Sequence, residues 1–391
     1  MSKEVFVFVV CGSREHIETL HYSLSYLNKF SQKEILVVTD SSRNEIEINY
    51  KSIIDIQVPK ELDHHQASIY LKTGIYKFVP KGNLYCYLDT DVIALSNKCD
   101  SIFKEYLSPI RFAADHCKIQ DFSSYAVNCN CINKCEKDRS LFLEKLAEID
   151  KNNWLSSFTQ RVERATIRKE YQKLESTPIK KVLLAIRYTL SVKNFKLNKQ
   201  FTLNKNAKEW RNAKGELVKY ELNYSALEKA SKIKLNKWKG TWVNAKNENI
   251  FNTSCNHLAD QIGETFNIEV SNKDFQHWNG GVFLFNDSSF NFLESWHSKT
   301  MQIFNLENWK TRDQGTLIAT AWEFGLQNHQ VLEKKWNFIA DYYNEFLFCD
   351  LEKDSITDNL FESPFEPYFI HVYHHWADEN WDVWKWIENK I

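Results

Sequence analysis

Residues 5–10 read Val-Phe-Val-Phe-Val-Val, and no other feature narrows the fold as far. A strand that is apolar on both faces of its pleat has to be covered on both sides, the condition of strands inside a parallel sheet flanked by helices. The next eighty residues fit that condition. Cys11-Gly12-Ser13 supplies a turn, and Ile17, Leu20, Leu24 and Leu27 recur at helical spacing within residues 16–30. A second apolar strand spans residues 34–39 and closes on Asp40-Ser41-Ser42, and a third spans 53–58, stopped by Pro59. A helix around residues 67–78 leads to the turn Pro80-Lys81-Gly82-Asn83. The strand at 84–88 then ends directly on Asp89-Thr90-Asp91. This alternation predicts an α/β fold with an open, mostly parallel, Rossmann-like sheet. In such sheets ligands bind beyond the carboxyl ends of the strands, where Cys11-Gly12 and Asp89-Thr90-Asp91 both fall.

The pattern continues with a short strand at 111–115 and changes near residue 150. From there to residue 252 there is little strand alternation, many lysines, and tryptophans at 154, 210, 238 and 242; Pro178 opens an apolar helix over 179–192. Order returns at 275–286, where Val282-Phe283-Leu284-Phe285 reads as a core strand. Helices follow at 289–304 and 312–325, then a strand at 369–372 and an aromatic tail with Trp381, Trp384 and Trp386. The expected division is residues 1–150 as the first half of the core, 151–270 as a large, basic, mainly helical insertion, and 271–391 as the second half of the core.

Charge separates the same regions. The chain's formal net charge is −1, but residues 161–246 carry 22 Lys and Arg against 7 Glu and no Asp, a surplus of 15 that leaves about −16 elsewhere. With the apolar stripe of 182–190 beside Lys180, Lys181 and Arg187, that surplus predicts contact with an anionic membrane surface or with an anionic or lipid-linked partner. No nucleic-acid motif accompanies the charge, so nucleic acid is not expected. The apolar run at 5–11, preceded only by Lys3, is too short for a signal peptide or a membrane span. Nine cysteines, scattered and odd in number, suit a reducing cytoplasm, with peripheral membrane attachment as the extension.

The chemistry concentrates at Asp89 and Asp91. Two carboxylates one residue apart at a strand end present hard oxygen ligands to a divalent cation, Mn²⁺ or Mg²⁺, of the kind that bridges phosphate oxygens. His371, in the apolar strand near the end of the chain, is either a hydrogen-bonded core residue or a third ligand. Asn279-Gly280-Gly281 reads as a tight turn before a strand, or as a place where the backbone approaches a ligand closely. Asp313-Gln314 fits the first turn of a helix as well as a binding role. The group Cys129-x-Cys131-x3-Cys135, with His116 and Cys117 nearby, lacks the Cys-x2-Cys units of common zinc modules and reads as reduced thiols.

Residues 87–94 resemble the Asp-x-Asp signature of GT-A glycosyltransferases, particularly the glycogenin-like and bacterial lipopolysaccharide galactosyltransferase-like group. Further segments resemble that group's landmarks in the same order. Residues 68–77 are similar to the helix whose basic residue, here Lys72, reaches the donor's diphosphate. Phe112-Ala113-Ala114-Asp115 is similar to the strand whose acid lies near sugar or acceptor. His277-Trp278-Asn279-Gly280-Gly281-Val282 resembles the Asn-x-Gly turn beneath the donor sugar, Arg312-Asp313-Gln314 the Asp-Gln pair beside the reacting carbon, and Phe369-Ile370-His371-Val372 the late histidine of the metal site. The resemblance covers about residues 5–115 and 275–376.

It implies a GT-A fold and a UDP-sugar donor, transfer to a glycan, lipid-linked or protein acceptor, and retention of configuration. It also implies a cation on Asp89, Asp91 and His371, donor contacts from Cys11, Gly12, Lys72, Asp89, Thr90, Asn279, Gly280, Gly281 and His374, and catalytic roles for Gln314, Asp313 and Asp115. Three departures stand out: Gly12 replaces an acid, Gly315 replaces a second aspartate, and His374-His375-Trp376 stands for a glycine and Lys-Pro-Trp. Either His374 or His375 is then placed to touch phosphate, or to sit in an exposed tail.

Two other classes share features. Haloacid-dehalogenase-type phosphatases also use Asp-x-Asp after a strand, but they need Thr or Val where Ile93 stands and a later Gly-Asp-x3-Asp, for which Cys349-Asp350 with Asp354 is the nearest approach. A non-catalytic nucleotide-sugar-binding protein would keep the fold alone. A nucleotidylyltransferase needs a glycine-rich loop that Cys11-Gly12-Ser13-Arg14 does not provide.

Overall fold

Strand β1 (Glu4–Val9) is buried on both faces, with Val5, Phe6, Val7 and Phe8 each at most 1% exposed. Removing such side chains from water contributes about 1.5–3 kcal/mol each, which makes β1 the anchor of the sheet. The computed structural model describes residues 2–150, 158–272, 274–344, 346–350, 354–359 and 362–390. After β1 come α1 (Arg14–Phe30), started by Ser13, whose side chain accepts from the His16 amide, then β2 (Glu34–Thr39), β3 (Ile53–Asp55), α2 (His64–Thr73) and β4 (Leu84–Leu88). The short β5 (Val92–Ala94) follows Asp89-Thr90-Asp91, and β6 (Ile110–Lys118) and α3 (Ile119–Ala126) complete the first part of the core.

The intervening segment holds α4 (Glu136–Ile149), α5 (Phe158–Leu174) and α6 (Pro178–Leu190), then strands β7 (Asn194–Lys196), β8 (Thr202–Asn204), β9 (Glu209–Arg211) and β10 (Leu217–Tyr220). Helix α7 (Tyr224–Ser231), the hairpin β11 (Lys234–Asn236) and β12 (Thr241–Val243), and α8 (His257–Phe266) lead back to the core. There the chain forms β13 (Gln276–Phe285), α9 (Phe290–Ile303), α10 (Asp313–Glu323), β14 (Phe338–Ile339), the hairpin β15 (Phe348–Asp350) and β16 (Ser355–Thr357), β17 (Phe369–His371) and α11 (Asp382–Glu388).

The six-stranded central sheet has the order β3-β2-β1-β4-β13-β6. Strands β3, β2, β1 and β4 are parallel, and β13 runs antiparallel to both of its neighbours. The expected α/β architecture with a mostly parallel sheet is therefore present. One face carries α2, α9 and α10 over Tyr85, Tyr87 and Phe283, and the other carries α1 over Phe6, Phe8 and Leu88. A second sheet, β14-β17-β5, sets Val92 opposite His371, and this register brings the end of the chain beside the Asp-x-Asp turn.

The insertion differs from the expected mainly helical segment. It is helical over 158–174, 178–190, 224–231 and 257–266, but 194–220 form a four-stranded antiparallel sheet and 234–243 a hairpin. Each strand is only three or four residues long, too short for an alternation to register. Ile167, Leu184, Phe195, Leu203 and Trp210 give this part a core of its own. Trp154 lies outside the described residues. The aromatic tail is no tail: Trp384 and Trp386 are buried, and Trp384 stacks on Tyr22 of α1 at 5.1 Å. Among the described residues no helix is long and apolar enough to cross a membrane.

Candidate active site

The hydrophobic strand β4 ends at Leu88, and the next three residues turn sharply, with the Val92 amide bonded to the Asp89 carbonyl at 3.1 Å. That turn points two carboxylates out of the sheet at the carboxyl end of its central strand. Val372 donates its amide to the Asp91 carbonyl (3.0 Å), which fixes β17 against the turn and sets His371 Nε2 3.2 Å from Asp91 Oδ1. Ligand atoms of Asp89, Asp91 and His371 all lie within 4.8 Å of one another. Two hard oxygens and one imidazole nitrogen suit a divalent cation such as Mn²⁺ or Mg²⁺.

The groups around this cluster fit it. Asp89 accepts from Tyr87 OH at 2.6 Å and from Lys72 Nζ at 3.1 Å; Lys72, from α2, also lies 3.2 Å from Asp313 Oδ2. Burial disfavours the Lys72 charge, but Asp89 and then Asp313 outweigh it and hold the ammonium above its ordinary pKa. Burial, with Asp91 alongside, pushes Asp89 up against the pull of Lys72. Burial acts the same way on Asp91, yet His371 overcomes it and holds that carboxyl low. His371 is in turn raised, because Asp91 outweighs the burial of the ring. A cation held between these groups would compete with the proton on the imidazole.

Asn279-Gly280-Gly281 is not the tight turn ahead of a strand that the sequence suggests. It is a bulge within β13: Asn279 faces Ala113 and Phe283 faces the adjacent Phe112, so 280–282 have no partners on β6. The Gly281 carbonyl accepts from the Asp89 amide at 2.8 Å, holding the bulge against the acids. A Cβ on Gly281 would lie 2.6 Å from His371 Cε1, 2.8 Å from Asn279 Oδ1 and 3.1 Å from Asp89 Oδ2. Only glycine leaves the histidine its place.

Asn279 donates to Asp115 Oδ2 (3.1 Å) and accepts from the Gly281 amide and from Asn337 Nδ2. Asn337 Oδ1 lies 3.2 Å from His371 Nδ1. Burial pushes Asp115 up, but the hydrogen bond from His116, 2.9 Å away, the buried His277 and the Asn279 amide hold it well below the usual carboxylate range. Gln314 Oε1 lies 2.9 Å from Nε2 of the buried His277, which stacks on Phe122, and the Gln314 amide nitrogen has no protein partner among the described residues. Burial keeps the His277 ring neutral, so Nε2–H donates to Gln314. Lys72, Asp89 and Asp313 form one set of contacts and Asp91, His371, Asn337, Asn279 and Asp115 another, and the two join at Gly281, whose carbonyl accepts from the Asp89 amide and whose amide donates to Asn279.

Other expected residues are placed less directly. Cys11 is buried, its thiol pushed up by burial, and offers only its carbonyl, which accepts from Ser68. Gly12 has a φ of +104°, and a Cβ there would strike His64 at 2.8 Å. Its amide donates to Asn44, which also lines a cleft of about 430 Å³ at the ends of β2 and β3. Thr90 offers its carbonyl to Ser23 of α1. His374 is exposed, with its ring against Tyr373, while His375 stacks on Tyr342 at 3.4 Å.

Gly315 has a packing reason: a Cβ there would meet Trp309 at 2.7 Å, so no aspartate fits. Asp354 bonds Trp386 Nε1 and pairs with Lys390, away from Asp89, so the acid a phosphatase would need is engaged elsewhere. Tyr87 and Asn337 are the residues sequence reasoning missed. Tyr87 lies two residues before Asp89 on the same face of β4, a signal at hand; Asn337 carries none.

No protein-family model matches the sequence, and no curated protein matches it. In fold the chain is similar to glycosyltransferases of known structure. Mouse xyloside xylosyltransferase 1 is 10% identical with a TM-score of 0.37, over 95% of this chain and 98% of that one. The bifunctional glycosyltransferase WbbM is 9% identical with a TM-score of 0.45, over 100% of this chain and 50% of that one. The galactosyltransferase LgtC, in complex with donor and acceptor sugar analogs, is 8% identical with a TM-score of 0.40, over 99% of this chain and 95% of that one. Likeness at this level carries no functional argument, so function is read from the side chains themselves.

Proposed function

We propose that the chain is a metal-dependent glycosyltransferase that moves a sugar from a nucleoside-diphosphate donor, a UDP-sugar, to a carbohydrate or lipid-linked hydroxyl with retention of configuration. The observation that carries this reading is the meeting of Asp89, Asp91 and His371 within 4.8 Å, at a strand end already supplied with a buried cation, Lys72. A divalent cation on these three ligands supplies charge neutralisation to a departing diphosphate. Lys72 adds a second positive charge without needing to give up its proton. The Gly280-Gly281 bulge removes two side chains from the floor beside the acids, which gives a sugar ring room to lie close to the backbone.

Asp115 stays ionised and accepts from sugar hydroxyls, while the free amide of Gln314, held in place by His277, donates towards the reacting face. Asp313, fixed by Lys72 and by α10, lines the same face. The nucleoside end lies towards Cys11 and Gly12 at the ends of β1 and β2. In the reaction the acceptor oxygen bonds to the anomeric carbon, the bond from that carbon to the diphosphate oxygen breaks, and the hydroxyl proton leaves with the diphosphate.

Thermal stability against UDP-, GDP- and CMP-sugars, with and without Mn²⁺, tests the donor site, because a ligand of the folded state raises the melting temperature. A Mn²⁺-dependent shift confined to UDP-sugars, lost in Asp91→Asn, is the expected result. Phosphate release from a phosphomonoester with no such shift would return the phosphatase reading. Tight binding with neither hydrolysis nor transfer would leave a binding protein.

A peripheral membrane contact belongs to the same proposal. Ile179, Val182, Leu183, Ile186 and Leu190 form one exposed face of α6, with Leu190 76% exposed, although Leu184 on the opposite face is buried. Lys181 Nζ, on the side of α6 away from this apolar face, reaches the carbonyl of Trp238, itself 84% exposed at the hairpin tip. Lys180, Lys181, Lys237 and Lys239 flank them, a composition that suits an anionic lipid surface.

A further inference from the structure

Cys129 and Cys131 follow α3 where the chain leaves the core, and Cys255 and His257 stand at the start of α8 where it returns. The fold brings all four together, with their ligand atoms within 4.8 Å of one another. Cys129 Sγ lies 3.9 Å from Cys255 Sγ, and Cys131 Sγ lies 3.6 Å from His257 Nδ1. An ion held tetrahedrally, about 2.3 Å from sulfur and about 2.0–2.1 Å from nitrogen, sets ligands apart by roughly 3.8 Å for two sulfurs and roughly 3.6 Å for sulfur and nitrogen. The observed separations match both. A disulfide needs its sulfurs at about 2.05 Å, and Cys129 and Cys255 stand well outside that.

We infer that Cys129, Cys131, Cys255 and His257 form a structural zinc site, separate from the carboxylate–histidine cluster. Three sulfurs and an imidazole are a soft donor set that selects Zn²⁺ over Mn²⁺ or Mg²⁺, and four protein ligands leave no open position for chemistry. The surroundings hold the ligands in place. Ser123 Oγ on α3 accepts from the Leu258 amide at 2.9 Å and lies 3.2 Å from Cys255 Sγ, where its hydroxyl can donate to a thiolate, and the Cys255 amide donates to the Gln120 carbonyl at 3.1 Å.

The sequence alone reads Cys129, Cys131 and Cys135, with Cys117 nearby, as reduced thiols, and Cys135 and Cys117 stand apart from this cluster. Cys135 Sγ lies by Glu248 and Asn244, and Cys117 Sγ by Asp115. The sequence hides the real partners because Cys129 and Cys255 are 126 positions apart. Bound there, zinc ties the two legs of the insertion together at its root, joining α3 to α8.

The test is metal analysis of the full chain, purified under reducing conditions without added metal, followed by Co²⁺ exchange. The expected result is stoichiometric zinc, replaced by Co²⁺ with a thiolate charge-transfer band and the visible bands of tetrahedral coordination. The zinc should persist in Cys135→Ser and in the Asp89→Asn, Asp91→Asn double variant, persist in His257→Cys, and fall at least about tenfold in Cys131→Ser. Should Cys131→Ser fail to fold, the Co²⁺ spectrum of the unaltered chain still reads thiolate ligation. Substoichiometric zinc without a thiolate–cobalt band, zinc that disappears with Asp89 and Asp91, or a Cys129–Cys255 disulfide in place of metal would each overturn the proposal.

Discussion

The ammonium of Lys72 lies 3.2 Å from the carboxylate of Asp313, joining α2 to the first residue of α10, while the same nitrogen bonds Asp89 at 3.1 Å. All three side chains are largely buried, so each charge depends on the others. Replacing Lys72 with Met leaves two acids without their cation, a loss of about 3 kcal/mol for a buried pair broken on one side. The expected outcome is a lowered melting temperature in chelator that Mn²⁺ partly restores, with activity down at least about a hundredfold. A melting temperature equally low with and without Mn²⁺ would separate Lys72 from the metal site.

Gly281→Ala tests the fit around His371. The added methyl would lie 2.6 Å from Cε1 of the ring, so the imidazole has to move, and Mn²⁺ affinity is expected to fall about 10- to 100-fold while the circular dichroism spectrum is kept. At Gly280 the nearest atom would be the tip of Lys72 at 3.4 Å, so Gly280→Ala should hold Mn²⁺ normally and weaken donor binding instead. Calorimetric titration of both variants with Mn²⁺, then with donor, reads the difference.

Asn337 acts as a positioning residue between His371 Nδ1 and Asn279 Oδ1. Asn337→Leu should weaken Mn²⁺ binding about tenfold or more and reduce kcat, because the ring loses the partner that orients it. Recovery of kcat at high Mn²⁺ distinguishes this role from a general loss of folding.

His297 provides a pH test away from the site. Burial, with a smaller push from Lys77, lowers its pKa to about 4, and its ring bonds Thr73 Oγ1 at 2.8 Å. Its pKa in the unfolded chain is about 6.5, so its contribution is complete above that value. As pH falls from about 6.5 to 4 only the unfolded chain takes up the proton, and up to about 3 kcal/mol of stability is lost. Denaturant unfolding across that range should show a shallower pH slope in His297→Gln than in the unaltered chain; equal slopes would remove His297 from the acid response.

The membrane proposal predicts that vesicles containing anionic lipid sediment the protein and neutral vesicles do not. Leu183→Asp combined with Leu190→Asp should abolish this without altering the melting temperature, since both side chains are exposed. Retained sedimentation would place the contact elsewhere.

Legibility in the sequence followed the length of each signal. Strands β1, β2 and β4 and helix α1 are long enough for their patterns to be read, and Asp89 and Asp91 stand out at the end of such a strand, whereas Lys72 is singled out only through the resemblance. Asn337 was not readable, because its role comes from β14 lying beside β17 with Phe338 opposite Ile370. The bulge at Gly280-Gly281 looked like a turn because both are glycine-rich; only the register against β6 tells them apart. The strands of the insertion were missed because three residues carry no period.

Among the described residues, strand β13 is the only partner of β6 in the central sheet and the only neighbour of β4 on that side. Between the end of β6 and the start of β13 the ribosome must add about 160 residues, which at cellular rates takes roughly 10 to 30 s. Throughout that interval the newly made β4 presents a bare backbone edge, and β6 has no sheet to join. A nascent chain in this condition is a client for whatever caps exposed strand edges, and a messenger truncated within the insertion would yield a half-sheet that cannot close.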